Sequence, residues 1–293
     1  MISIIITTKN RLDFLKRAVK SVVENNYQPD EIVVVNDGGE KITSLSLPID
    51  CGIHLIIINH PVSLGGNIAR NRGVTESNGD ILFFLDDDDA LDKGSIRARV
   101  ECFYDDSVGM AYTGKKFVYS DDLENVFRKS LPKLSGSCYE SLLTNGNGIG
   151  STSCVAVKRD VFIEAGKFDE NLCALQDYDL WIRVAKLSQV AHDQKALLFY
   201  TIHRDTNQIS SDYNKYLVAG NYLAAKYKES LFIFDAFNKF IALRYLRVAI
   251  SASKSNSFIR FKYAFLSFLK RPTLKSLFLM LPVGITKFFK VLS

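Results

Sequence analysis

Apolar positions recur along this chain in two rhythms, short continuous runs and helical spacings, which alternate through the first hundred residues. Ser3 to Thr7 predicts a strand, and Leu12, Leu15, Val19, Val22 and Val23 then share one side of a helix over Leu12 to Asn25. Glu31 to Val35 predicts a second strand, Ile53 to Ile58 a third and Ile81 to Leu85 a fourth, with a helix over Gly66 to Ser77 before the last. Such alternation is how a mainly parallel, Rossmann-like sheet flanked by helices reads, so the expected fold class is α/β. A Gly-, Ser- and Asn-rich stretch, Leu143 to Ser153, leads to a strand over Cys154 to Val157 and helices over Arg159 to Ala165 and Tyr178 to Leu187, the last with Leu180, Val184 and Leu187 on one side. Past about residue 210 the rhythm turns helical, and Phe258, Phe261, Phe265 and Phe268 make one stripe flanked by Arg260, Lys262, Lys270 and Arg271. The expected division is an α/β domain over residues 1–212 and a basic, aromatic helical extension over 213–293.

Polar clusters follow the ends of the buried strands. Asn36-Asp37-Gly38-Gly39 follows the second and Asp86-Asp87-Asp88-Asp89 the fourth, and open α/β sheets take their ligands at that carboxyl edge. Four aspartates in a row are otherwise an ordinary solvated loop. Fixed at a strand end they suit a hard cation such as Mg²⁺, which takes one or two carboxylates and fills its shell with water and phosphate oxygens.

Composition narrows the class. With 293 residues, 47% hydrophobic and 24% charged, the chain is neither disordered nor a small disulfide scaffold. Cys51, Cys102, Cys138, Cys154 and Cys173 are odd in number and scattered, and read as small buried apolar residues. Met1 runs straight into Ile2-Ser3-Ile4 without a signal-like start, and the longest apolar candidate, Ser276 to Ile285, is short and carries Pro282. A cytoplasmic location is expected. Residues 214–293 hold 14 Lys and Arg against 2 Asp and Glu, leaving 23 basic against 30 acidic residues elsewhere. That asymmetry predicts two parts facing different partners. Nucleic acid is not expected, because the acidic part would repel it and no binding motif is present.

Five segments in order resemble inverting family 2 glycosyltransferases of the GT-A fold: Ser3 to Arg11, Val33 to Gly39, Gly66 to Gly73, Phe84 to Asp89 and Gln176 to Arg183. The resemblance covers Ile2 to about Ser211 and implies a nucleotide-sugar half over 1–100 and an acceptor half over 101–212. It implies a nucleotide site with Thr7, Thr8, Asn10 and Arg11 along the nucleoside, Asp37 accepting from uracil, Arg70 at base or phosphate, and Asp86 and Asp87 beside the nucleotide. Asp88 would ligate Mn²⁺ or Mg²⁺, with His203 completing the metal shell or touching phosphate. Asp177 would be the catalytic base, and Gly150, Ser151, Gln176 and Trp181 would line the sugar and acceptor region. Tyr200 to Arg204 with Asn207 to Ser210 would close over the diphosphate. Gln176 departs from the Glu that many members carry, which removes a charge beside the base.

Plainer readings exist for several of these residues. Asp37-Gly38-Gly39 also suits a simple turn, Asp177 a helix cap, Trp181 a core position, and Arg70 a solvated helix face. The resemblance implies sugar transfer from a UDP-linked donor to a lipid-linked saccharide in O-antigen or capsule-like polysaccharide synthesis. A nucleotidyltransferase and a non-catalytic saccharide-binding protein are the rivals. The basic Phe-striped tail predicts peripheral contact with the inner face of the cell membrane, its alternative being packing on the protein itself or on a second copy.

Overall fold

Ile4, Ile5 and Ile6 are almost wholly shielded from solvent, as are Val33, Val34 and Val35 and the run Leu82 to Leu85, because helices cover both faces of the sheet they form. The computed structural model describes residues 1–49, 52–204 and 212–282. Its strands and helices run in the order β1 (Ile2–Thr8), α1 (Leu12–Val23), β2 (Glu31–Asp37), β3 (His54–His60), α2 (Gly66–Glu76), β4 (Ile81–Asp86), β5 (Ala90–Leu91), α3 (Ser95–Glu101), β6 (Val108–Tyr119) and β7 (Arg128–Ser130). There follow α4 (Tyr139–Asn145), β8 (Val155–Lys158), α5 (Arg159–Glu164), α6 (Gln176–Leu187) and β9 (Gln189–Ile202). The sheet order is β3-β2-β1-β4-β8-β6-β9-β5, with β7 paired to β6.

The first four strands are parallel, and their register decides where the polar residues go. Thr7 lies beside Val35 on one side and Asp86 on the other, and Asp37 lies beside His60. The ends of β1, β2 and β4 therefore form one polar edge. Two glycines allow the close approaches behind it. A Cβ on Gly73 would sit 2.5 Å from Ile5, so α2 packs tightly on the sheet; at Gly38, φ is +76° and a Cβ would meet the Ser63 amide at 2.2 Å.

Residues Met1–Tyr139, Gly148–Glu170 and Gln176–Arg204 form one compact unit. The described part of the other comprises Glu140–Asn147, Asn171–Leu175 and residues 212–282, so it draws two short segments from inside the stretch expected to be one domain. Its helices are α7 (Tyr213–Lys226), α8 (Lys228–Ile233), α9 (Phe237–Ser251), α10 (Ser257–Lys270) and α11 (Leu274–Met280), with Ala249, Ala264 and Leu279 packed together inside. Among the described residues no helix is long and apolar enough to cross a membrane.

Four sequence readings shift. The third strand runs on to His60, which brings Asn59 and His60 to the polar edge. Helix α6 begins at Gln176, so Asp177 lies inside its first turn rather than before it, and Leu187 at its far end is exposed. Cys173 is exposed rather than buried, while Cys138 and Cys154 are buried and Cys102 half-buried; Cys51 lies outside the described residues. Arg260 does not flank the phenylalanine stripe but is buried on the opposite side of α10.

Candidate active site

Asp37 ends β2 with both carboxylate oxygens engaged. Oδ1 accepts from His60 Nδ1 at 3.0 Å and the Leu64 amide at 2.8 Å; Oδ2 accepts from Ser63 Oγ at 2.7 Å and the Gly65 amide at 2.9 Å. Burial pushes its pKa up, but these donors outweigh it and hold the carboxyl at about 2. A carboxylate offers about four lone-pair positions. Asp37 as placed fastens the 60–65 connection to the sheet, at the polar edge where the sequence expects it to accept from uracil. Asn10 likewise turns to the protein. Its φ is +54°, and its Oδ1 accepts from the Glu40 amide at 3.0 Å.

The four aspartates after β4 separate into different environments. Asp86 is half-buried, with Oδ1 receiving Arg70 Nη2 at 2.7 Å and Oδ2 receiving Thr152 Oγ1 at 3.1 Å. Burial alone would raise its pKa, yet the guanidinium and the hydroxyl hold it below the ordinary range. Asp87 is fully buried and takes Thr8 Oγ1 at 2.6 Å and Arg11 Nε at 3.1 Å on Oδ2, with Arg11 Nη2 on Oδ1. Burial, reinforced by Asp88 and Asp86, moves it up to about 6 despite Arg11. Expected at the nucleotide, Asp87 instead locks the start of β4's loop to the end of β1, and Thr8 serves the same bond. Asp89, also buried, receives the Thr201 amide at 2.9 Å.

Asp88 faces outward enough to meet a ligand. Its Oδ2 lies 3.0 Å from Arg11 Nη1 and 2.9 Å from His203 Nε2, although the two residues Asp88 and His203 are 115 positions apart. Phe14 supports the histidine edge-on, with ring centroids 5.3 Å apart. Among the described residues no three His, Cys, Asp or Glu side chains converge. A carboxylate and an imidazole side by side, with Arg11 on the same carboxylate, do suit a divalent ion that completes its shell with water and phosphate oxygens. The residues present therefore fit Mg²⁺ or Mn²⁺ held largely by its substrate.

Asp177 lies in the first turn of α6, where Oδ1 accepts the amide of Tyr178 at 2.7 Å. Burial raises its pKa, opposed by that amide and by the charges of Lys115 and Arg70, and reinforced by Asp86. The carboxylate thus shares the electrostatic surroundings of the β4 end. Gln176 precedes it at the helix start, half-buried. Gly150 has φ +120°, and its carbonyl accepts Trp181 Nε1 at 3.0 Å. Trp181 is fully buried, so it underpins the Gly150 loop from beneath and cannot itself be a wall against a sugar. Ser151 Oγ lies 3.6 Å from Cys154 Sγ in the same loop. Asp179 is bound by Arg183 on the buried side of α6, Nη2 to Oδ2 at 2.6 Å. The Asn207 to Ser210 segment lies outside the described residues.

Sequence reasoning passed over three residues. Arg17 on α1 donates to the carbonyls of Asp88 at 2.7 Å and Ser120 at 2.6 Å, fixing the main chain that presents Asp88. Nothing in the sequence separates it from the other cations of that helix. Lys115 places its ammonium 4.1 Å from the Tyr200 ring centre and beside the Gly150 main chain, within electrostatic reach of Asp177. A lysine within a long, mostly buried strand was the available signal. His60 was hidden by ending the third strand two residues early.

Residues 3–166 match the family model described as glycosyl transferase family 2. An uncharacterized glycosyltransferase of Bacillus subtilis, YwdF, is 28% identical over 229 residues, 72% of this chain and 78% of that protein. This chain spans 63% of a matching uncharacterized protein of Mycobacterium tuberculosis, MT1568, that is 28% identical over 204 residues, 65% of this chain. Among solved structures, S. aureus TarS 1-349 in complex with UDP-GlcNAc superposes with a TM-score of 0.60 at 14% identity, over 99% of this chain and 91% of that one. The mannosyltransferase PcManGT from Pyrobaculum calidifontis, in complex with GDP-Man and Mn²⁺, gives 0.61 at 14% identity over 99% and 81%. At such identities the likeness shows the fold, which is the GT-A-like α/β architecture with C-terminal helices.

Proposed function

The chain belongs to glycosyl transferase family 2, and from that premise we propose that it moves a sugar, with inversion, from a UDP-linked donor to a hydroxyl of a lipid-linked saccharide in surface-polysaccharide synthesis of O-antigen or capsule type. The observations that carry this reading are an outward carboxylate–imidazole couple after β4, Asp88 with His203, and a carboxylate of raised pKa in the first turn of α6, Asp177, that has Arg70 and Asp86 within electrostatic range. Arg70 and Arg11 are the cations available for a diphosphate. Asp88 and His203 would hold Mn²⁺ or Mg²⁺, which supplies charge neutralisation to the diphosphate when bound.

In the transfer itself the acceptor oxygen forms a bond to the anomeric carbon as its proton passes to Asp177. The bond between that carbon and the diphosphate oxygen breaks, and the nucleoside diphosphate leaves with the electron pair. Burial makes Asp177 a stronger base than an exposed carboxylate, which suits the task; Lys115 opposes its protonation. Trp181 and Gly150 set the loop that faces this chemistry. Asp87, Thr8 and Arg17 hold the Asp88 segment rigid, and rigid support is what such a site requires.

UDP is the nucleotide that the sequence resemblance implies, TarS being solved with UDP-GlcNAc and PcManGT with GDP-Man, and the cytoplasmic face of the membrane is where a lipid-linked acceptor and a nucleotide sugar meet. Incubation with UDP-sugars and Mn²⁺ tests the proposal through slow release of UDP to water. A panel of UDP-, dTDP- and GDP-sugars read by thermal shift identifies the base, since a ligand at 100 times its Kd stabilises the native state by about 2.7 kcal/mol. Absence of both UDP release and any nucleotide-dependent shift would sink the reading.

A further inference from the structure

Helix α10 is built inside out. The residues it buries are Arg260, Ala264 and Ser267, at helical spacing along one side. Arg260 donates through Nη2 to the Leu281 carbonyl at 2.8 Å, and Ser267 donates to the Ala242 carbonyl at 2.8 Å. The opposite side carries Phe258, Phe261, Phe265 and Leu269, which are 71%, 49%, 44% and 62% exposed. The rings of Phe261 and Phe265 lie parallel with centroids 6.3 Å apart. Exposed Lys262 sits in the same stripe, Lys270 ends the helix, and α11 adds exposed Leu274, Lys275 and Leu277. A soluble helix turns its apolar side to its own core. Large rings on the outer side of a helix whose inner side is small or polar, with Ala264 in the apolar cluster and Arg260 and Ser267 hydrogen-bonded, indicate a face meant for an external apolar phase.

We infer that the α10 face binds an anionic lipid bilayer, with the phenylalanines entering the headgroup boundary and the lysines pairing with lipid phosphates. Charge selects this occupant over a second copy. With 14 basic and 2 acidic residues over 214–293, two such faces brought together would repel, whereas a negative leaflet attracts lysines held near its surface. The inference names the surface by which the proposed enzyme would reach a lipid-linked acceptor. It is read without turnover, so it fails or stands apart from the donor chemistry.

The test is flotation of the full chain with vesicles of phosphatidylcholine alone and of phosphatidylcholine mixed with phosphatidylglycerol, together with melting temperature and molar mass in solution. Binding to the mixed vesicles alone, reduced at least about tenfold in a Phe258→Ser, Phe261→Ser, Phe265→Ser variant, is expected. A Lys262→Glu, Lys270→Glu variant, less disruptive of packing, should lose the preference for phosphatidylglycerol. The serine variant should melt as the wild type does. No binding of wild type to mixed vesicles overturns the inference, as does a dimer that the serine variant dissolves, or a marked fall in melting temperature showing that the rings are covered by the chain itself.

Discussion

Helices α6 and α10 carry the same kind of apolar periodicity and put it to opposite use. In α6 Leu180, Trp181 and Val184 are fully buried while Leu187 at the far end is exposed, and the first turn holds Asp177. In α10 Phe258, Phe261 and Phe265 face outward, Phe268 is half-buried, and the inner side is Arg260, Ala264 and Ser267. Spacing identifies a face, while what covers that face depends on neighbours far away in sequence. In α6 the cover comes from the sheet and from the Gly150 loop; in α10 the described residues leave it open.

The largest expected effect tests the chemical end of α6. Asp177→Asn keeps shape but removes the proton acceptor, so turnover should fall on the order of 10⁴-fold, about 5 kcal/mol of barrier, with the nucleotide-dependent thermal shift retained. In the wild type the base must be ionised, and burial raises its pKa. Activity is therefore lost as pH falls through a value above the ordinary carboxylate range, and the pH profile of kcat measures it. Near-normal turnover in the variant would reduce Asp177 to a first-turn acid favourable to the helix dipole.

Next is the buried side of the same helix. Trp181→Ala removes a fully buried indole and the bond to the Gly150 carbonyl. A loss of about 4 kcal/mol in unfolding free energy is expected by chemical denaturation. Trp181→Phe should recover most of the stability but not the position of the loop, so kcat should recover less than the melting temperature does. A small loss in the alanine variant would erase the contrast with α10.

The contrast in charge is sharpened at Asp37, a carboxylate inside the α/β unit whose two oxygens receive four protein donors. Its folded pKa of about 2 lies below the unfolded value of 3.8, so the group stabilises the fold above the unfolded value and loses that contribution as pH falls from about 4 to 2. The shift corresponds to about 2 kcal/mol at neutral pH. Asp37→Asn should cost about that much at pH 7, with the gap from wild type closing in acid, followed by denaturant titration across pH.

Much of this was legible in the chain. The parallel strands announced themselves because a strand covered on both faces must be continuously apolar, as Ile4 to Ile6 and Leu82 to Leu85 are. The polar edge followed, since the register puts the ends of β1, β2 and β4 together. Which aspartate does what was not legible. A run of four aspartates alternates in direction at a strand end, so Asp87 and Asp89 turn inward to Thr8 and Thr201 while Asp88 turns to His203, and that choice rests on partners about 80 and 112 to 115 residues away. The donors that hold Asp37 were hidden for the same reason, arriving from His60 and the 63–65 segment. The phenylalanine stripe was visible, but spacing cannot say which side of a helix the protein covers.

The smallest expected effect lies on the inner side of α10. Arg260 holds the Leu281 carbonyl just past the end of α11, yet its Nε is buried with no hydrogen-bond partner among the described residues. Arg260→Met forfeits one charge-assisted hydrogen bond, worth about 1.5 to 3 kcal/mol. It also relieves the burial of a guanidinium whose donors are incompletely met, and apolar replacements of buried ionic groups are often neutral for that reason. The two changes oppose each other, so the net shift should stay within about 1 kcal/mol. Denaturant unfolding of the full chain measures it. A loss near that of Trp181→Ala would mean that α10 depends on its polar side as strongly as α6 depends on its apolar one, and the inverted helix would then be held by the arginine rather than merely tolerating it.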